Sequence, residues 1–110
     1  MAFDISLGIN GSTTVVRLEG ELNDREVQSL RRVVDQAVAQ GPRRLVVDVH
    51  ALDALVPAGL RCLAFAQQHL PATSHIVIEG ASPVLHDRLR LAGLDRSMTI
   101  VVRDEQLVGV

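Results

Sequence analysis

The sequence predicts an α/β fold: one mixed, mostly parallel β-sheet packed with helices, in the order β-β-α-β-α-β-α-β. Three observations carry this. The first twenty residues alternate apolar and polar positions at period two, as half-buried strands do. Three later stretches read as helices, each opened or closed by a capping residue, Gly or Pro. Short apolar runs follow the helices, and strands interleaved with helices imply right-handed parallel crossovers.

In order along the chain, Phe3, Ile5, Leu7 and Ile9 alternate with Asp4, Ser6 and Gly8. Asn10-Gly11 is a hairpin turn signal. Thr14, Val16 and Leu18 then alternate with Val15, Arg17 and Glu19, so the two strands form an antiparallel hairpin at or near a sheet edge. Asn23 with Glu26 three residues on makes a capping box. Behind it Val27, Leu30, Val34, Ala37 and Val38 form one apolar stripe, with Arg31, Arg32 and Asp35 on the other side. Gly41-Pro42 stops that helix.

Leu45-Val46-Val47-Asp48-Val49 is nearly continuous in apolar residues and reads as a short parallel strand buried on both faces. A second helix starts at Pro57, since proline suits the first helical position, and runs to about Leu70. Ile76-Val77-Ile78 is a further buried strand. Ser82-Pro83 opens a third helix that carries Val84, Leu85, Leu89 and Ala92 inward and ends at Gly93. Thr99-Ile100-Val101-Val102 is the last strand.

A length of 110 residues predicts a single domain spanning residues 1–110, and 47% apolar with 22% charged residues reads as globular. The net charge of −2 and an aromatic content of two phenylalanines give no reason to expect nucleic acid as a partner. Met1-Ala2-Phe3-Asp4 does not resemble a signal peptide, and no apolar run reaches the ~20 residues of a membrane span, so no direct membrane insertion is expected. Cys62 is the only cysteine, which fits a reducing compartment; a cytoplasmic location is the default expectation.

Motifs of catalysis are missing. The serines show no nucleophile-elbow pattern, and there is no phosphate-binding loop and no lysine in the chain. His50, His69, His75 and His86 are scattered without metal-ligand spacing and read as solvated or core histidines. Cys62 reads as a small hydrophobe rather than a redox sensor. The expectation is a protein that is not an enzyme and takes no cofactor and no metal.

Several segments, in order and at matching spacing, carry a family resemblance. They are Arg17-Leu18-Glu19-Gly20-Glu21-Leu22-Asn23, Gly41-Pro42-Arg43-Arg44-Leu45-Val46-Val47-Asp48, Gly59-Leu60, Ser82-Pro83-Val84 and Leu91-Ala92-Gly93-Leu94-Asp95-Arg96. Over nearly its whole length the chain resembles a STAS domain, the fold of bacterial anti-sigma-factor antagonists. In that family a strand-to-helix junction reads Asp-Ser-Ser-Gly-Leu, and a partner kinase phosphorylates its serine. Here the same place reads Val56-Pro57-Ala58-Gly59-Leu60, with Pro57 at the serine position, so the resemblance implies a degenerate phosphosite. A second departure lies at the end, where Asp104 to Val110 leaves room for at most about two turns of the family's closing helix.

By that resemblance the chain is a protein-binding module. Its contact would centre on Val56, Pro57, Ala58, Gly59 and Leu60 at the start of the second helix, and its partner would be an anti-sigma factor kinase or a related partner-switching regulator. Asn23, Asp24 and Arg25 are either a helix cap with solvated charges or the rim of that contact. Arg61 is either a surface charge or an interface anchor. Two other occupations remain. Some stand-alone STAS proteins lack the serine and bind the ATPase of an ABC-type lipid transport system. A nucleotide sensor, with an anion at the start of the second helix, has neither a Gly-rich loop nor a lysine to support it. A homodimer through the edge of the first strand is a further expectation.

Overall fold

The computed structural model describes residues 3–103. The expectations for the first two residues and for the closing segment from Asp104 lie outside the described residues. The elements are β1 (Phe3–Asn10), β2 (Thr13–Leu22), α1 (Val27–Ala39), β3 (Arg44–Leu55), α2 (Pro57–His69), β4 (His75–Ala81), α3 (Pro83–Leu91) and β5 (Thr99–Val102). Short 3-10 turns at Asp24–Glu26 and Leu94–Arg96 lead into α1 and out of α3. The five strands lie in sequence order across one sheet. β1 pairs antiparallel with β2, and the other three pairings are parallel.

That order has a consequence for layering. Each crossover moves one strand further in the same direction, and right-handed crossovers then put every helix on the same face. Val16, Leu18, Val47, Val49, Ile76 and Ile78 on the sheet pack with Leu30 and Val34 of α1, Cys62 and Leu63 of α2, and Leu85 and Leu89 of α3 in one core. Arg31 of α1 lies 3.8 Å over the Phe65 ring of α2, which in turn stacks on His69, so the two helices are also tied at their solvent side.

Several sequence expectations need correction. The two-residue loop of the hairpin is Gly11-Ser12, not Asn10-Gly11: Asn10 still pairs with Thr13, and Gly11 takes the positive φ of 62° at the first loop position. This is the placement a type II′ turn asks of glycine. On α3, Leu85 and Leu89 are buried, but Val84 is 67% exposed and Ala92 faces solvent too. The helix is too short and too peripheral for its whole apolar arc to reach the sheet.

The largest difference concerns β3. It is longer than the five-residue strand expected and runs twelve residues to Leu55. Over residues 45–49 both faces are buried apart from the half-buried Asp48, as expected, and beyond Val49 only one face is. Its core-facing side chains after Val47 are Val49, Leu52 and Leu55, so the repeat changes from two to three. Two irregularities in the pairing with β2 produce this: Arg17 and Glu19 face Asp48 and Ala51, and Gly20 and Glu21 face Leu52 and Ala54. Each adds one residue to β3, bends the strand and keeps one apolar side chain per repeat on the core. Gly20 adopts φ 88° at the second irregularity, where a Cβ is disfavoured.

On the face away from the described helices Asp48 accepts from the Arg17 guanidinium at 3.2 Å and lies 2.7 Å from the His50 ring. Burial pushes the Asp48 carboxyl up. The His50 backbone N–H, the His50 ring and Arg17 outweigh it and hold the group below its ordinary value of 3.8.

Candidate functional site

The extension of β3 sets where α2 begins. Leu22 pairs with Leu55 at the carboxyl ends of β2 and β3, and the next residue, Val56, donates its N–H to the Leu22 carbonyl at 3.2 Å. Val56 is extended, with φ −72° and ψ 158°, as the residue before a proline prefers. Pro57 then takes the first helical position, where the missing N–H costs no helical hydrogen bond. The chain that leaves Leu22 enters Asn23, whose N–H donates to Glu26 Oε1 at 3.2 Å, while Glu26 N–H donates back to the Asn23 carbonyl at 3.0 Å. The bonded Leu22–Val56 pair therefore brings the two sequence-predicted segments, Asn23–Arg25 and Val56–Arg61, side by side.

Gly59 fixes how closely they approach. It is buried, and a Cβ built on it would strike Leu55 Cδ1 and come within 3.3 Å of Leu22 Cδ2. Only a residue without a side chain lets the first turn of α2 rest on the ends of β2 and β3. Gly59 and Leu60 N–H groups share the Val56 carbonyl at 2.8 and 3.4 Å, and no side-chain oxygen caps the helix.

The surface that results is a small apolar knob within a charged rim. Pro57 is exposed, Val56, Ala58 and Leu60 are half-buried, and Asn23, Asp24, Arg25 and Arg61 are exposed around them. From Leu52 to Leu60 there is no hydroxyl, thiol or amine. Cys62, one turn on, faces the core, and burial pushes its thiol up, away from the reactive thiolate. At the helix start the arrangement presents no serine or threonine hydroxyl to a phosphoryl donor. Among the described residues no cluster of His, Cys, Asp and Glu is placed to hold a metal, and no helix is long and apolar enough to cross a membrane.

Arg88 on α3 was not singled out by the sequence. Its Nη1 donates to the Leu55 carbonyl at 2.9 Å, one residue before the knob. Arg88 thereby ties α3 to the junction and borders a groove of about 290 Å³ between β3 and α3, lined also by Leu52, Leu55, Val84 and Leu85. Nothing in the spacing of Arg88 marks it, because its acceptor is a backbone carbonyl 33 residues away.

Comparison with known proteins agrees with this architecture. A family profile described as "Mlab, STAS domain" matches residues 5–104, and the chain belongs to the STAS domain family. Anti-sigma-F factor antagonist RsfB of Mycobacterium tuberculosis is 22% identical over 96 residues, covering 87% of this chain and 79% of that protein. The crystal structure of an anti-sigma factor antagonist from Mycobacterium paratuberculosis superposes with a TM-score of 0.83 at 21% identity, covering 98% of this chain and 92% of the other. The anti-sigma factor antagonist SpoIIAA in its unphosphorylated form gives 0.73 at 19% identity, covering 97% and 94%. The fold is thus that of the antagonists.

Proposed function

We propose that this chain is a non-enzymatic regulatory module of the antagonist type. It binds an anti-sigma factor kinase or a related partner-switching regulator through the knob at the start of α2, with Asn23, Asp24, Arg25 and Arg61 as its rim. Pro57 stands where the family's serine would be, and the contact is not switched by phosphate there. The observation that carries this reading is the bond from Val56 to Leu22, which assembles both segments into one surface that holds no hydroxyl. A phosphate placed in such a contact would add about −1.5 to −2 charges and repel the partner. A knob without an acceptor stays in the binding-competent form. Its place of work is the cytoplasm.

The test is affinity capture of the full chain from its native lysate, with Val56→Asp and Pro57→Asp as controls. Recovery of a kinase-fold anti-sigma factor by the wild type and its loss from both variants is the expected result. Phosphate incorporation by that kinase at Ser29, Thr73 or Ser82 would overturn the unswitched part. A second reading, the accessory subunit of an ABC-type lipid transport system, has one observation in its favour: the matching family profile carries the Mlab description rather than that of an antagonist. Recovery of an ABC ATPase instead of a kinase selects it.

A further inference from the structure

The peptide unit between Leu55 and Val56 is held on both of its sides. In a trans peptide the N–H and the C=O point in opposite directions. Here the N–H, of Val56, donates to the Leu22 carbonyl of β2 at 3.2 Å. The C=O, of Leu55, accepts from Arg88 Nη1 of α3 at 2.9 Å. In a longer sheet the neighbouring strand would supply that second donor. β4 pairs with β3 from Arg44 to Asp48, and further along β3 the groove against α3 takes the place of β4. The Arg88 guanidinium reaches over this groove and stands in for the N–H of a strand.

Arg88 is committed to this carbonyl. Asp53 lines the same groove, yet Arg88 makes no ion pair with it or with any other described carboxylate. Its neighbour Arg90 shows the alternative, pairing with Asp87 at 3.6 Å along the helix surface. The turn of α3 that carries Arg88 is anchored by Leu85 and Leu89, both buried in the core. The other end of the bond lies where α2 lacks support. Pro57 has no N–H, Val56 offers no side-chain cap, and the Val56 carbonyl already accepts from Gly59 and Leu60. The Leu55–Val56 peptide is thus the last unit before α2 that groups outside the helix can hold by both its donor and its acceptor.

We propose that Arg88 is a positioning residue for the knob. By holding the Leu55 carbonyl it fixes the plane of the Leu55–Val56 peptide, and with it the direction in which the first turn of α2 presents Val56, Pro57 and Leu60. Pro57 and the extended Val56 start the helix; Arg88 and Leu22 aim it. A partner that meets an oriented surface does not have to order it on binding, so association loses less conformational freedom. The role needs no contact between Arg88 and the partner. It makes α3, which carries none of the knob residues, a determinant of the knob's affinity. The choice of partner rests on the knob reading; the hold on Leu55 does not.

Arg88→Met keeps the aliphatic stem beside the groove and removes the donor, and Arg88→Lys restores a donor. Amide hydrogen exchange of the full chain, read by NMR, should quicken at Val56 and Gly59 in Arg88→Met by at least about tenfold more than at Val34 and Ile78 in the core. Arg88→Lys should fall in between, and Arg90→Met should leave the pattern of the wild type. Affinity for the anti-sigma factor kinase recovered by the wild type, measured where every variant is folded, should fall about tenfold in Arg88→Met and partly return in Arg88→Lys. Unchanged exchange at Val56 and Gly59 overturns the proposal, and so does a rise of the same size at all amides, which is loss of stability alone. A fall in affinity without the local quickening overturns it too, since Arg88 would then touch the partner directly. So does local quickening with affinity intact. If the wild type recovers no partner, the knob reading fails, and the exchange pattern by itself decides whether Arg88 holds the start of α2.

Discussion

At the starts of α2 and α3 the backbone is nearly the same. Val56 and Ser82 both occupy the N-cap in extended conformation, at φ/ψ of −72°/158° and −67°/159°, and each is followed by proline. The side chains differ. Ser82 Oγ accepts the Leu85 N–H at 3.1 Å, closing the first turn of α3. Val56 has nothing to offer, and α2 opens uncapped. At the third helical position the difference reverses in size: α3 carries a buried Leu85, whereas α2 tolerates only Gly59 against Leu22 and Leu55. The pair teaches that proline preceded by an extended residue is enough to launch a helix here. The hydroxyl is an addition that supports stability at α3, and α2 forms without one. Its absence at α2 removes a modifiable group and leaves the geometry standing.

Four substitutions sharpen or break this comparison. The largest effect is expected from Gly59→Val, which forces side-chain atoms into Leu55 and Leu22. It should lower unfolding free energy by about 2–3 kcal/mol, read as a shift of the urea midpoint. A neutral result would mean that α2 can lift off the sheet ends. Ser82→Ala comes next, with a loss of about 1 kcal/mol for the cap at α3. Val56→Ser supplies α2 with the hydroxyl that α3 has, at the expense of a half-buried valine; the opposing effects should leave stability within about 0.5 kcal/mol. A large stabilisation there would show that the uncapped start is strained.

The smallest effect at the helix starts, and a control on them, is Asp48→Asn in the middle of β3. The folded state holds this carboxyl below 3.8, so the carboxylate stabilises the fold at pH above that value. That contribution fades as pH falls from 3.8 through the folded value. The melting temperatures of wild type and variant should therefore differ at neutral pH and converge in acid. Affinity for any partner captured by the knob should not change.

Much of the molecule is legible from local pattern because local chemistry decides it. Period-two alternation placed β1 and β2, and β2 does bury Thr14, Val16 and Leu18. Pro57 and Ser82-Pro83 mark the starts of α2 and α3 where they are found. Gly41, at φ 61°, ends α1 as expected. The candidate site was readable in its residues and in its missing hydroxyl, since both segments flank strong helix-start signals. Its assembly was not readable, for the Leu22–Val56 bond and the Arg88–Leu55 bond join residues 34 and 33 positions apart.

The second half of β3 shows why. His50 to Leu55 repeats apolar residues every three positions, which is neither the period of a strand nor that of a helix. It becomes a strand because β2 lies alongside and absorbs the mismatch in two pairing irregularities, one of them at Gly20. Likewise Val84 belongs by composition to an apolar face of α3, yet it stands exposed at the rim of the groove between α3 and β3. By itself the sequence determined the element types, the helix starts and the absence of a hydroxyl from Leu52 to Leu60, because caps, prolines and side-chain alternation act within a turn or a few residues. Only the tertiary structure decided the length of β3, the placing of the described helices on one face of the sheet and the joining of Asn23 to the start of α2. Those depend on which strand stands next to which, and that is settled by the packing of the whole core.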